Sequence, residues 1–218
     1  GHVSRGEAPG PVGLGVRRDR RASEPLQALL RDHAATVRAA AAMALGALGE
    51  RRLVAPVADL LRDREITVRT AAGFALGEMD HADAIPPLIT ALRDQAPPVR
   101  VAAARSLGEI DDADALPALT TALRDQAHDV RAAAARSLGQ IDDRRAVLPL
   151  TAALRDADLM VRWAAANALG EIDDPAATIA LVAALRDENA DVRRAAISAL
   201  GKIDDGTSLA AVAAALHD

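Results

Sequence analysis

Aspartate pairs are the residues of this sequence with the clearest capacity for chemistry. They recur every 31 residues, at Asp111-Asp112, Asp142-Asp143, Asp173-Asp174 and Asp204-Asp205. Four such pairs could hold divalent cations, which prefer oxygen ligands. A structural role explains them better, because Asp tolerates the backbone angles of a turn and also favours the N-terminus of a helix. We therefore expect no metal and no other cofactor.

The histidines do not form a metal centre in this interpretation either. They are His2, His33, His81, His128 and His217, and none of them is adjacent to a glutamate. His33 and His128 also occupy different positions of the 31-residue unit, so they are not expected to converge on one ion. The sequence has no cysteine, and no Ser/His/Asp arrangement or phosphate-binding glycine loop stands out. These features predict a protein that is not an enzyme.

Charge and composition restrict the class of partner and of compartment. The net charge of −5 argues against a phosphate-binding surface, and the one basic cluster, at residues 17–21, follows a Gly/Pro-rich stretch. We interpret residues 1–21 as a flexible leader. Charged residues interrupt every apolar run well before the length of a membrane span. With no cysteine and no signal-peptide pattern at Gly1, a cytoplasmic protein is expected.

A strict internal repeat organises the remaining sequence. Arg-Asp pairs occur at six positions from Arg31-Asp32 to Arg186-Asp187, and Leu-Gly pairs follow the same step from Leu45-Gly46 to Leu200-Gly201. Val-Arg pairs occur at Val37-Arg38, Val68-Arg69, Val99-Arg100, Val130-Arg131, Val161-Arg162 and Val192-Arg193. Half of the residues are hydrophobic but only 1% are aromatic, and much of the rest is alanine, which favours helix. The period predicts an all-helical solenoid whose units bury their apolar faces against one another.

The third unit, residues 84–114, indicates how each unit is built. Its first helix carries an apolar stripe at helical spacing, formed by Ile85, Leu88, Ile89 and Leu92. We expect Asp83 to be the N-cap of this helix, with prolines 86 and 87 in its first turn. Pro97-Pro98 is expected to form the turn that precedes the second helix.

The second helix is expected over residues 99–110. Its predicted buried side consists mostly of small residues, namely Val99, Ala102, Ala103, Ser106, Leu107 and Ile110. Small side chains allow helix axes to approach closely. Gly108 lies inside this pattern, where glycine costs helix stability, so we interpret it as a position of close approach.

The unit resembles the HEAT-like repeat of phycobilin lyases and of consensus-designed artificial proteins. The resemblance rests on the Arg124-Asp125 turn, the start of the second helix at residues 130–134 and its end at residues 138–141, all of which recur. It covers residues 22–218 and implies one all-α domain, a right-handed α-solenoid of six repeats plus a terminal helix over Ser208 to His217.

In HEAT repeats, a turn Asp and an Arg six residues later form a ladder that links successive units. The resemblance assigns this structural role to Asp32 and Arg38, Asp63 and Arg69, Asp94 and Arg100, Asp125 and Arg131, Asp156 and Arg162, and Asp187 and Arg193. An arginine with carboxylates on both sides suits a partly buried structural network better than catalysis.

Four positions of the second helix vary from unit to unit, in columns that begin at residues 36, 39, 43 and 47. They share one helix face, which we call the variable stripe, and the resemblance places this face on the concave surface. The predicted partner-binding residues on it are Met43, Phe74, Glu78, Arg105, Glu109, Arg136, Gln140, Met160, Trp163, Asn167, Glu171 and Arg194. Trp, Arg and Met are enriched in protein interfaces. Alternatively, Phe74 and Trp163 only fill gaps between repeats.

The stripe favours a non-catalytic scaffold that binds a protein or peptide of unknown identity. The resemblance to phycobilin lyases raises a second hypothesis, a subunit of a lyase-like enzyme, for which no local motif is found. Deoxyhypusine hydroxylase is also a HEAT-like solenoid and holds iron with His-Glu dipeptides, which this sequence lacks. Nucleic-acid binding is unfavoured, because Glu78, Glu109 and Asp129 offset the arginines of the stripe.

Overall fold

A computed structural model describes residues 23–203 of the chain. In this part the protein is helical, without strands. The predicted leader and the predicted terminal helix over Ser208 to His217 lie outside the described residues, so both stay predictions. None of the described helices has the length and apolarity needed to span a membrane.

Twelve α-helices alternate between a short first helix and a longer second helix of each unit. The first helices are α1 (Ser23–Leu29), α3 (Val54–Asp59), α5 (Ile85–Ala91), α7 (Leu116–Ala122), α9 (Val147–Ala153) and α11 (Thr178–Ala184). The second helices are α2 (Ala35–Leu48), α4 (Ile66–Glu78), α6 (Pro97–Glu109), α8 (His128–Gln140), α10 (Leu159–Ile172) and α12 (Ala190–Lys202). The predicted solenoid of two-helix units is confirmed over this range.

The two layers of helices pack unequally. Successive second helices lie against one another along the whole stack, whereas successive first helices meet mainly through the short turns that precede them. A stack whose units are closer on one side curves toward that side. The second helices therefore form the inner, concave layer, and the variable stripe lies on it.

Short turns that contain the aspartate pairs connect each second helix to the first helix of the next unit. Asp111, Asp142 and Asp173 end second helices in the left-handed conformation, with φ near 50°. The next residue begins a 3-10 turn that leads into the first helix, and the Asp112 carboxylate accepts a hydrogen bond of 2.9 Å from the Asp114 amide. The structural interpretation of these acidic pairs agrees with this geometry.

Two expectations about the third unit are wrong. Asp83 does not cap the first helix, because a 3-10 turn over Ala82–Ala84 precedes α5 and the His81 ring accepts from the Asp83 amide at 3.1 Å. Asp83 instead accepts from Nε of Arg51 at 2.8 Å. Pro97 and Pro98 do not form the preceding turn. They are the first two residues of α6, where the missing backbone donor costs little.

Glycines of the second helices mark the closest approach between units. A Cβ at Gly139 would lie 2.7 Å from Cα of Ala168, and one at Gly108 would lie 2.6 Å from Cβ of Ser137. Either contact would force two helices apart. Gly201 differs, because among residues 23–203 no atom of another helix or of a packed side chain lies within 4 Å of its Cβ position. The interpretation of Gly108 as a packing residue agrees with these distances.

Arginines at the start of the second helices connect neighbouring units. Nε and Nη2 of Arg100 both donate to the carboxylate of Asp125 in the next unit, at 2.7 Å. Nη1 donates to the backbone oxygens of Asp94 at 2.8 Å and Gln95 at 3.1 Å. Arg100 thus binds a carboxylate of the following unit and backbone oxygens of its own unit. The expectation that an aspartate carboxylate lies on each side of the arginine is wrong. Arg38, Arg69, Arg131 and Arg162 repeat the arrangement with Asp63, Asp94, Asp156 and Asp187.

The last described arginine of this series, Arg193, donates to the backbone oxygens of Asp187 at 2.7 Å and Glu188 at 3.0 Å. The residue at the corresponding carboxylate position, Asp218, lies outside the described residues. At the other end, the carboxylate of Asp32 accepts from the Ala34 amide at 2.7 Å, and its carbonyl accepts from Nη1 of Arg38. Each ladder aspartate therefore also organises its own turn.

The ladder changes the acidity of its carboxylates. The hydrogen bond from Arg38 holds the pKa of Asp63 below its usual value. Burial raises the pKa of Asp125, but hydrogen bonds from Arg100 and the Ala127 amide outweigh burial and leave that pKa lowered. Because the folded state binds these protons less readily than the unfolded state, the ladder stabilises the fold above the ordinary aspartate pKa and loses this effect as pH falls.

Close helix approach predicts opposite effects for two equivalent glycines. Gly139→Ala should lower the free energy of unfolding by about 1–3 kcal/mol, because its Cβ would overlap the backbone of α10. Gly201→Ala should cost nothing and could stabilise by up to ~1 kcal/mol through helix propensity. Urea denaturation followed by circular dichroism measures both. Equal effects at the two positions would contradict the packing role.

The ladder predicts a pH-dependent stability difference. At pH 7 the free energy of unfolding of Asp125→Asn should be about 1–3 kcal/mol lower than that of the wild type, because the hydrogen bonds between Arg100 and a charged carboxylate are lost. The difference should begin to shrink as the pH falls below about 4, where the unfolded chain takes up a proton at this aspartate, and should shrink further until the carboxylate of the folded protein is protonated at a lower pH. Asp114→Asn, at an exposed position, is the control. A difference that stays constant down to pH 3 would refute the assignment of the stabilisation to this ion pair.

Candidate functional site

The twelve predicted partner-binding residues lie on the concave layer of second helices, and none of them is fully buried. Met43, Phe74, Arg136, Trp163 and Asn167 are half-buried, and the other seven are exposed. Met160 leaves 42% of its surface exposed, so this large apolar side chain is accessible to a partner. The small residues on the opposite side of each helix are buried in the core, which explains why variation is confined to the stripe.

A groove of about 530 Å³ crosses the middle of the stripe from α4 to α10. Four predicted residues line it, namely Phe74, Arg105, Arg136 and Met160. Its remaining lining residues are Thr70, Pro97, Pro98, Val101, Asp129 and Ala132. The groove therefore combines an apolar wall with two arginines, a combination that suits an amphipathic ligand rather than a purely apolar one.

Arg136 and Trp163 form the best-defined contact of the stripe. The guanidinium carbon of Arg136 lies 5.7 Å from the centre of the Trp163 ring, in cation–π geometry. Trp163 is also partly buried and packs against the core. Part of its side chain therefore fills a gap between repeats, as the alternative interpretation expects. The amide of Asn167 donates to the Trp163 carbonyl at 2.9 Å and contributes to the order of this turn.

The charges beside the groove are mixed. Burial raises the pKa of Glu109, and the like charge of Glu78 raises it further, against the opposing effect of Arg105. Burial lowers the pKa of Arg136, and Arg105 adds to that effect while Asp129 opposes it. Unlike charges thus lie near one another, and within residues 23–203 Glu78, Glu109, Arg105 and Arg136 form no ion pair.

Some predicted residues lie away from the groove. Met43 lies one unit before it, and Arg194 is paired with Asp191 at 2.8 Å in the last described helix. Gln140 and Glu171 extend the stripe beyond it on the C-terminal side of their helices. The structure therefore brings together a central subset of the prediction and does not unite all twelve residues.

Several groove residues were not singled out by sequence reasoning. Thr70, Pro98 and Val101 belong to the variable columns, so their variation marks them, although their residue types are not typical of interfaces. Asp129 lies in the same columns and is named in the sequence analysis only for its charge. Ala132 belongs to the same columns and also lines the groove, but it is buried. Pro97 gave no signal, since its position precedes the variable columns.

The histidine and acidic side chains of the described residues are spread over the surface or held in turns. From residue 23 to 203, no group of three or more His, Cys, Asp or Glu side chains has an arrangement that could hold a metal ion. Nδ1 of the exposed His128 lies 3.5 Å from an oxygen of Asp129 and 3.6 Å from one of Asp158. In the three acidic pairs within the described residues, the second aspartate accepts a backbone hydrogen bond, as in the bond of 2.8 Å from the Arg145 amide to Asp143.

Comparison with solved structures identifies similar solenoids. A chain from the complex of CpcE and CpcF of phycocyanin lyase from Nostoc sp. PCC7120 is 27% identical with a TM-score of 0.64, and the match covers 96% of this chain and 85% of that chain. An engineered protein is 22% identical with a TM-score of 0.61, over 85% of this chain and 97% of that chain. A designed armadillo repeat protein, solved in complex with the peptide (KR)4, is 19% identical with a TM-score of 0.61, over 83% and 98%. The last two likenesses concern the fold alone.

Family comparison agrees with the architecture. No curated protein sequence matches the chain. The family model described as PBS lyase HEAT-like repeat matches residues 192–218. The model described as HEAT repeats matches residues 12–72, 54–135 and 122–201, which together span most of the sequence. With the 31-residue period, the two-helix units and the ladder of arginines and aspartates, these matches establish that the chain belongs to the HEAT-repeat family.

Proposed function

We propose that this protein is a non-catalytic scaffold that binds another protein or an extended peptide through its variable stripe. One observation carries the proposal: in an otherwise repetitive solenoid, one groove brings together four unlike side chains of the variable stripe from four successive units, namely Phe74, Arg105, Arg136 and Met160. Such side chains dominate the energetics of protein interfaces. A groove that crosses several units also suits an elongated partner, since each unit adds a similar length of surface.

The scaffold proposal predicts that one double substitution abolishes partner capture. Trp163→Ala with Arg136→Ala removes the cation–π pair beside the groove, and hot-spot side chains of this kind typically contribute 2 kcal/mol or more, roughly a thirtyfold loss of affinity. Affinity capture from cell extract, quantified by mass spectrometry, should lose the proteins that wild type retains. Far-UV circular dichroism and melting should show that the fold survives.

A matched control lies on the opposite surface. Leu148 and Ile179 are 79% and 85% exposed on the first helices, at equivalent positions of neighbouring units. Leu148→Ala with Ile179→Ala should leave capture unchanged. If the stripe variant captures the same proteins as wild type, or if only the control variant loses them, the stripe is not the binding surface.

A subunit of a phycobilin-lyase-like enzyme is the second candidate. The 27% identity over 96% of the chain with a chain of the CpcE and CpcF complex favours it. Purified protein mixed with a free bilin provides the test, because a bound tetrapyrrole shifts its visible absorption band. The scaffold proposal expects no shift for this chain alone. A saturable shift that Trp163→Ala weakens would favour the lyase-like function instead.

A further inference from the structure

Two guanidinium groups face the groove without a carboxylate partner. Arg105 and Arg136 both line it, and within residues 23–203 neither forms a hydrogen bond or an ion pair. The ladder arginines differ, since Arg100 binds a carboxylate through two nitrogens and two backbone oxygens through the third. Within the described residues, the two groove arginines thus differ from the ladder arginines because no protein hydrogen bond or ion pair holds their guanidinium groups.

The surroundings of these two arginines favour an anionic partner. Arg136 is half-buried against the face of Trp163, and the neighbouring Arg105 carries a like charge. Burial and this repulsion both lower the pKa of Arg136. Arg136 is only partly removed from water, and an anion held between the two arginines would offset both this partial desolvation and the repulsion between the two like charges.

The neighbouring carboxylates determine which anion fits. Asp129 lines the same groove, and an oxygen of its carboxylate lies 3.5 Å from Nδ1 of His128. Glu78 and Glu109 lie at the adjacent end of the variable stripe. These negative charges repel a polyphosphate chain or a doubly charged phosphate group more strongly than a single carboxylate. The planar fork of an arginine also matches the geometry of a carboxylate.

The other wall of the groove is apolar. Phe74 and Val101 are half-buried there, and Met160 is exposed at the far end. An anion alone would leave this wall in contact with water. A peptide that carries a carboxylate next to an apolar side chain would cover both parts of the groove at once.

We propose that Arg105 and Arg136 form a carboxylate-binding site, which receives an Asp or Glu side chain of an extended peptide while a neighbouring apolar side chain packs on Phe74, Val101 and Met160. This inference rests on the proposed function of the stripe as the partner-binding surface. It adds the chemistry of the partner, an acidic and apolar segment.

A displayed library of random decapeptides tests the proposal with a defined probe. Selection on wild-type protein should enrich peptides with one Asp or Glu beside an apolar residue. Each selected peptide is then compared with its Gln or Asn counterpart by titration. Trp163 is the only tryptophan of the chain and lies against Arg136, so its fluorescence reports occupancy of the site directly.

The acidic peptide should bind wild type about tenfold or more tightly than its amide counterpart, because a charged hydrogen bond is lost. Arg136→Gln should abolish this difference, and Arg136→Lys should restore part of it through charge alone. Arg124→Gln, at an exposed arginine outside the groove, should preserve the full difference. Added salt should weaken the acidic peptide more than the amide peptide.

The outcomes separate this inference from the proposed function. Peptides that bind at the stripe with no preference for Glu over Gln would overturn the carboxylate site and leave the scaffold proposal in place. A preference for Glu that persists in Arg136→Gln would place the carboxylate elsewhere and overturn the assignment. If no peptide changes Trp163 fluorescence and none competes with another, both the carboxylate site and the stripe as a peptide-binding surface are wrong.

Discussion

Close approach between successive second helices is the constraint on which the rest of this structure depends. At Gly139 the next helix lies so near that a single methyl group would overlap its backbone. Such spacing requires glycine, alanine or serine along one face, and it brings each ladder arginine within reach of the aspartate of the next unit. Because the first helices are less tightly stacked, the same constraint bends the array toward the second helices and produces the concave surface.

The division between constant and variable positions follows from this geometry. A residue that faces the next helix can change little, since any added volume separates two units and weakens the ladder between them. A residue on the concave face has no such neighbour and can vary in size and charge. Trp163 and Arg136 could enter an array made mostly of alanine and leucine only on that face, and their cation–π contact is local to it.

The sequence predicts most of the fold because its period is strict, while its errors arise at the junctions between elements. Two-helix units, packing glycines and the turn role of Asp111 follow from spacing and residue type alone. Asp83 was misassigned because a 3-10 turn shifts the helix start, and Pro97 because proline suits both a turn and a first helical position. For the site, the columns identify the correct face. The groove does not follow from the variable columns, since the distance between side chains of different units depends on the curvature of the stack. Only the structure shows that Arg105 has no carboxylate partner among the described residues.

The central claim is that partners bind on the concave stripe and not on the outer layer of first helices. Hydroxyl-radical footprinting of the free and partner-bound protein tests it most directly, because methionine, tryptophan and phenylalanine side chains react readily when solvent reaches them. The account predicts that binding protects Phe74, Met160 and Trp163 while Leu148 and Ile179 keep their reactivity. Protection of Leu148 and Ile179 with unchanged reactivity along the stripe would contradict it.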